Sequence, residues 1–235
     1  MRLADTPAPV RAAGQANAVP AGQNRSDDPC FDAAVAAWAA GRDAVASSRE
    51  DLELEDWPAP KKLAPRALAL AATAYRDGEE AGTGKLVLLY DPDGQDGWTG
   101  TFRLVCHVHA DVEEEMAADP LLGEVGWSWL IDALDLHAPG YAAPSGTVTR
   151  VITEGYGGKS DEPPDTGFEL RASWCPADGP DGADSAEIAD EISGAVVAWC
   201  DLLAAAAGLP AQGTVTIGGR PGQPRAAGAG GRRRR

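Results

Sequence analysis

Two stretches of alternating apolar residues, joined by a turn, restrict this chain more than any other part of its sequence. They are "KLVLLYD" (85–91) and "GTFRLVCHV" (100–108), and both have the two-residue period of a half-buried strand. The residues between them, "PDGQDGW" (92–98), supply the Pro, Asp and Gly that tight turns require. The two stretches are therefore predicted to form a β-hairpin.

A second pair of strands is predicted further along the chain. "GTVTRVITEGYG" (146–157) and "GFELRASW" (167–174) are rich in β-branched and aromatic residues, and a Gly-, Pro- and acid-rich loop separates them. An antiparallel sheet can bury one face and leave the other in water. The sequence therefore favours a four-stranded antiparallel sheet with helices packed on one face.

Two helices are predicted before the first hairpin. The first begins at Asp28 and Pro29, a cap and first-turn pair, and ends near Ser48. The acidic, Pro-containing segment 49–65 is interpreted as a linker or as a chain laid along the surface and anchored by Trp57. A second, Ala-rich helix is expected from about Arg66 to Arg76.

Two further helices follow the hairpins. "LLGEVGWSWLIDALDLH" (121–137) is apolar on nearly every side, with one narrow polar stripe, and is interpreted as the central core helix. The last helix is expected to be capped by Asp184 or Ser185 and to stop at Gly208. The predicted fold class is thus α+β, in the order hairpin, helix, hairpin, helix, preceded by two helices.

Both ends of the chain are poor in large apolar side chains. Residues 1–25 and 218–235 consist mainly of small residues, Pro, Gln and Arg. They cannot bury enough surface to offset the entropy lost on ordering. We therefore predict disordered tails around a single domain of residues 26–217.

The net charge of −16 is distributed unevenly. Residues 26–217 hold 11 of the 20 Lys and Arg residues and 35 of the 36 acidic residues. Such a surface repels phosphates and anionic lipid, so nucleic-acid binding is not expected except through the Arg-rich C-terminal end. No stretch approaches the roughly 18 apolar residues of a membrane span and no signal peptide is visible, which predicts a cytoplasmic protein without membrane contact.

The cysteines and the Asp-rich turn do not indicate a metal site. The four cysteines are widely spaced in apolar surroundings, which is typical of small buried side chains. The aspartates of 91–96 lack the glycine and glutamate positions of a calcium loop. No cofactor-binding or nucleophile motif is present, so no metal, cofactor or catalytic residue is assigned.

The strand phases predict a polar strip on the helix-free face of the sheet. If alternate residues of 102–108 and of 168–174 face the helices, the residues between them point the other way. Arg150 is a further candidate, although the alternation around it is too weak to fix its side. The candidate ligand-binding residues are therefore Arg103, His107, His109, Arg150 and Arg171.

Two histidines at alternate positions of one strand point in the same direction, as metal ligands would. The sequence supplies no third ligand at a matching spacing, and neither His107 nor His109 has an identifiable nucleophile or carboxylate partner. The favoured interpretation is a solvated strip in which Arg103 or Arg171 pairs with Glu169 across neighbouring strands.

Several phrases of the sequence, taken in order, point to a family. They are "WPAPKKLAPRALAL", "VLLYDPDGQDGWTGTFRLV", "ADPLLGEVGWSWLIDAL", "GTVTRV", "ELRASW" and "AWCDLLAAAAGLP". Over most of residues 55–211 the chain resembles an uncharacterised actinobacterial family, that of domain of unknown function 3000. The resemblance implies no activity and no cofactor. Functional residues shared within such a family would be sought among Arg103, Trp127, Trp129, Arg150, Arg171 and Trp174.

Two functions of different class remain open. The first is a non-catalytic adaptor that binds a protein partner, or a second copy of itself, and it predicts an exposed apolar or mixed patch on the sheet. The second is a small-anion-binding protein or enzyme that uses Arg103, His107, His109 and Arg171 on the open face. It predicts a concave pocket of roughly 300 Å³ or more there. We favour the first.

Overall fold

A computed structural model of the chain describes residues 28–176 and 185–211. The two predicted tails and Asp184 lie outside the described residues, so the limits of the predicted domain stay predictions. The elements in chain order are α1 (Pro29–Ser48), β1 (Leu52–Asp56), β2 (Arg66–Arg76), β3 (Glu79–Tyr90), β4 (Phe102–Asp111), α2 (Glu114–Ala118), α3 (Leu122–His137), β5 (Tyr141–Thr153), a 3-10 turn (Gly157–Lys159), β6 (Asp165–Pro176) and α4 (Ser185–Ala206).

The strands form one antiparallel sheet in the order β1-β2-β3-β4-β6-β5. Both predicted hairpins are present, as β3 with β4 and as β5 with β6, and the pairing of β4 with β6 joins them. The α+β class and the antiparallel sheet are therefore confirmed. The predicted number of strands is wrong, because the described residues hold six and not four.

The two additional strands lie in the N-terminal part of the chain. The segment Arg66–Arg76, predicted as a helix, is strand β2 and pairs with β1 on one side and β3 on the other. Alanine has a high helix propensity, but tertiary pairing overrides it here. Leu70, Ala72 and Ala74 alternate along the strand and are fully buried or nearly so, which is the two-residue period of a strand.

Part of the predicted linker is also a strand. Leu52–Asp56 forms the edge strand β1, and the next residue, Trp57, donates its backbone N–H to the Ala69 carbonyl at 2.9 Å. The prolines of the segment begin only after this point, at Pro58. The acidic residues of β1 do not prevent pairing, because an edge strand keeps its side chains in contact with water.

Helices α1, α3 and α4 cover one face of the sheet, and α4 is the central one. It contacts both other helices and four of the six strands. Trp199 of α4 is fully buried, and a Cβ at Gly84 of β3 would come within 2.9 Å of its ring. The helix can approach the middle of the sheet this closely only because residue 84 has no side chain.

Helix α3 is not the central core helix that its composition predicted. It lies beside α4 over β5, and apolar residues on its outer side remain in contact with solvent. Leu136 is 72% exposed and Val125 is 42% exposed.

The strand phases predicted for 102–108 and 168–174 are confirmed. The buried residues of both stretches face the helices: Phe102, Leu104, Cys106, Val108, Phe168, Leu170, Ala172 and Trp174.

The close approach of α3 and α4 predicts unequal effects for two glycine substitutions. A Cβ at Gly194 of α4 would collide with the His137 carbonyl oxygen, whereas a Cβ at Gly123 of α3 would meet no atom within 4 Å. We expect Gly194→Ala to lower the free energy of unfolding by about 1–3 kcal/mol or more. Gly123→Ala should change it by less than about 1 kcal/mol, in the stabilising direction. Urea denaturation measures both, and equal effects would contradict this packing.

Candidate binding face

The helix-free face of the sheet carries the predicted polar strip along β4 and β6. Arg103, His107 and His109 project from β4 on this side. His107 lies directly opposite Arg171 of β6, and His109 lies directly opposite Glu169. Arg103 is a diagonal neighbour of Ser173. Four of the five predicted ligand-binding residues therefore lie on one face. We refer to this side of the sheet as the open face.

Glu169 is the acceptor at the centre of the strip. Its Oε1 lies 2.6 Å from Nε2 of His107 and 2.6 Å from a guanidinium nitrogen of Arg171. These hydrogen bonds hold the pKa of Glu169 below its usual value, and the bond with His107 has the largest effect. The carboxylate is therefore ionised at neutral pH. Arg171 pairs with Glu169 as predicted, but the prediction that the pair joins two neighbouring strands is wrong, because both residues belong to β6.

Arg103 has different partners from those predicted. Its guanidinium donates to Ser173 Oγ at 2.7 Å and to the Gly97 carbonyl at 3.1 Å, and it also lies near the Cys175 sulfur. The Gly97 contact ties the loop between β3 and β4 to the sheet. Arg103 therefore positions this loop, and both terminal nitrogens of its guanidinium donate to groups of the protein.

A shallow depression of about 310 Å³ lies in the middle of the open face. Val87, Val105, His107 and Arg171 contribute to its floor and sides. Lys85 completes it, with its ammonium nitrogen 4.3 Å from the centre of the Trp57 ring, within the range of a cation–π interaction. The volume meets the minimum expected for a ligand site, but the depression is open to solvent instead of enclosed.

Two of the predicted residues contribute less to this site. His109 is nearly half exposed and its Nε2 lies 3.7 Å from a carboxylate oxygen of Asp111, an ion pair only when the imidazole is protonated. Arg150 is on the other side of the sheet. Its guanidinium donates to the carbonyl of Asp119 at 2.7 Å and reaches that of Ala117 at 3.5 Å, at the end of α2. The structure therefore does not bring Arg150 to the open face.

A buried ionic network on the helix side escaped sequence analysis. Arg49, which follows α1, is only 5% exposed and is bidentate to the Asp51 carboxylate at 2.8 and 2.9 Å. It also reaches Asp201 of α4 at 3.4 Å, and Asp201 lies 2.8 Å from Nε2 of His137 at the end of α3. Hydrogen bonding to Asp51 raises the pKa of Arg49 and lowers that of Asp51. The network thus joins the ends of three helices.

A groove of about 230 Å³ opens beside this network, between α3 and α4. Trp129 and Leu136 form its apolar side, and the Arg49 and Asp201 charges at its base are already paired with each other. No local sequence pattern could have revealed this groove and its charged base, because Arg49 and Asp201 are 152 positions apart. The separation of His137 and Asp201, 64 positions, is equally invisible to motif analysis.

The described residues hold neither a cluster of metal ligands nor a membrane-spanning helix. In the ranges 28–176 and 185–211, no three His, Cys, Asp or Glu side chains are grouped as metal ligands would be. No helix in those ranges combines the length and apolarity needed to cross a bilayer. All four cysteines lie within them and none forms a disulfide there, and burial raises the pKa of Cys106 to about 12.

The ionic network predicts that replacing Arg49 lowers the free energy of unfolding much more than replacing Arg42, an arginine of the same helical region. Arg49→Met leaves two partly buried aspartates without their cation, so we expect a loss of about 2–4 kcal/mol in the free energy of unfolding. Arg42 pairs with Asp43 and Asp56, both of which are exposed. Arg42→Met should cost less than about 1 kcal/mol. Urea denaturation of both variants tests this, and a loss at Arg49 no larger than that at Arg42 would show that the network is not stabilising.

Comparison with known proteins places the chain in a family. The model of a family described as a protein of unknown function, DUF3000, matches residues 28–216, which includes every described residue. No curated protein and no solved structure matches the chain. The chain therefore belongs to the DUF3000 family.

Proposed function

We propose that this DUF3000 chain is a non-catalytic, cytoplasmic protein-binding module whose partner contacts the open face of the sheet. The observation that carries the proposal is the arrangement of charges on that face. Arg103, His107 and Arg171 all have acceptors within the protein, and Lys85 lies over an aromatic ring. Apolar side chains lie between them.

The internal pairing argues against a small anion as the ligand. Glu169 occupies the position between His107 and Arg171 that an incoming carboxylate or phosphate would take. An anion would have to displace this carboxylate or bind close to it, and like charges at short range oppose binding. The depression is also too open to exclude water, so its electrostatic interactions are screened.

The apolar part of the face supports a macromolecular partner. Val105 is 36% exposed on β4, Val87 of β3 lies beside it, and Trp57, which contacts the Lys85 ammonium, is 43% exposed. Protein interfaces combine an apolar centre with polar residues at the rim, and aromatic and arginine side chains at that centre supply much of their affinity. The open face has this composition.

The acidic surroundings indicate the charge of the partner. The predicted domain has many more acidic than basic residues, so a basic protein surface would be attracted to it over long range. Association is then expected to slow as salt concentration rises, because a Debye length at physiological ionic strength is only about 8 Å. A nucleic-acid partner would be repelled by the same surface.

Two matched valine substitutions test this proposal. The tagged full chain, Val105→Glu and Val125→Glu are used to capture proteins from an extract of the source organism, followed by quantitative mass spectrometry. Val125 of α3 is 42% exposed and lies in the helix layer on the other side of the sheet, so it controls for the added charge. We expect proteins retained by the native chain to fall at least about tenfold with Val105→Glu, which corresponds to about 1.4 kcal/mol, and to persist with Val125→Glu. Equal retention by both variants would refute the open face as the binding surface.

A further inference from the structure

The two edges of the sheet are protected very differently. The β1 edge is five residues long and carries three acids: Glu53, Glu55 and Asp56. Short length and charge are common means by which proteins prevent an edge strand from pairing with another chain. The β5 edge is 13 residues long.

Only the first part of β5 has comparable protection. Pro144, a register shift between Ala142 and Ser145, and the positive φ of Ala143 (50°) interrupt its beginning. The remainder, "GTVTRVIT" (146–153), contains one charged residue, Arg150, whose guanidinium bonds to carbonyls at the end of α2. No strand of the described residues pairs with its outer side. Eight residues of edge backbone are thus open to pairing.

Apolar surface accompanies this edge on both sides of the sheet. Val151 is 39% exposed on the open face, and Ile152 is 49% exposed on the helix side. A depression of about 500 Å³ borders the edge on the helix side, between Ala117 and Ala118 of α2 and Val148 of β5. A long, partly apolar edge with a single charged residue favours pairing with another strand.

We propose that β5 pairs with β5 of a second copy of the chain, antiparallel about a two-fold axis at Thr149. The two six-stranded sheets then form one continuous sheet. A two-fold axis makes the edge its own partner, which is the commonest symmetry of protein dimers. Charge excludes an axis at Arg150, which would place two guanidinium groups opposite each other, whereas the adjacent axis at Thr149 places Arg150 opposite Val148 of the other copy.

The same register explains the depression beside the edge. Directly opposed residues of an antiparallel pair have their side chains on the same face of the sheet. Val148 and Ile152 of the second copy therefore project to the helix side, next to Ala117 and Ala118, where the depression lies. The acidic residues of α2, Glu114 and Glu115, lie outside this strand pairing, and their repulsion is reduced by salt.

Sedimentation measures the proposed dimer directly. The full chain is centrifuged at about 100 µM in about 0.5 M NaCl, where charge repulsion is screened. We expect twice the chain mass of 24.3 kDa for the native chain and for the control Val35→Lys, and the monomer mass for Val151→Lys, which introduces a charge at the edge. A monomeric native chain, or a Val151→Lys variant that stays dimeric, would overturn the proposal.

Two cysteine variants test the register without disrupting the edge. Thr149 and Thr153 are both exposed residues of β5. At the axis, Thr149→Cys lies opposite its own copy and should form an intermolecular disulfide under mild oxidation, whereas two Thr153→Cys residues are separated by about 26 Å and should not. Equal crosslinking of both, or none at Thr149→Cys, would contradict the pairing.

The dimer is independent of the proposed partner on the open face. Val105 lies on β4, two strands away from the β5 edge, so Val105→Glu should remain dimeric. Loss of partner binding with a retained dimer, or the reverse, therefore separates the two proposals.

Discussion

The contact between Trp199 and Gly84 is the one on which the rest of the structure depends. It brings α4 onto the middle of the sheet, and α4 in turn provides the surface against which α1 and α3 pack. A side chain at position 84 would push α4 away from the central strands and separate both neighbouring helices from their contacts. The position of α4 on the sheet thus depends on one residue that lacks a side chain, and the approach of α3 to α4 depends on another, Gly194.

Helices cover most of one face of the sheet, so the open face and the β5 edge are the surfaces at which the sheet can contact a partner. The charged side chains also have different partners on the two faces of the sheet. On the helix side, Arg49 and Arg150 are used to fix helix ends, one through aspartates and the other through carbonyls. On the open face, His107 and Arg171 share Glu169 and leave valines exposed between them. The first arrangement stabilises the fold, whereas the second leaves a mixed surface available for binding.

The features that sequence analysis predicted correctly are those that depend on local period. Alternation and turn residues identify both hairpins and the phase of β4 and β6, since each side chain's face follows from its position in the strand. The phrases recognised across residues 55–211 also led to the correct family. Strand β2 was missed because the alanines of "RALALAATAYR" favour a helix, and only the alternate spacing of its larger apolar residues indicates a strand. Its pairing with β1 and β3 decides between them.

The features that sequence analysis missed depend on contacts between distant positions. Nothing near Arg49 indicates Asp201, and nothing near Arg150 indicates the end of α2. The interruption at Ala142 to Ser145 also precedes the "TVTRVIT" stretch, where the alternation is too weak to show which side chains face the helices. The exposure of α3 was unexpected for the same reason, since its apolar composition does not reveal which helix reaches the centre of the sheet.

The central claim is that Glu169 occupies His107 and Arg171, and it underlies the proposal that the open face binds protein and not a small anion. The most direct measurement is the thermal unfolding of the full chain with phosphate, citrate or ATP, beside Glu169→Gln and Arg171→Ala. A ligand that binds the folded state raises the melting temperature by mass action. The account predicts no shift for the native chain, and a shift for Glu169→Gln because His107 and Arg171 then lack their carboxylate. An anion that raises the melting temperature of the native chain, but not that of Arg171→Ala, would contradict it.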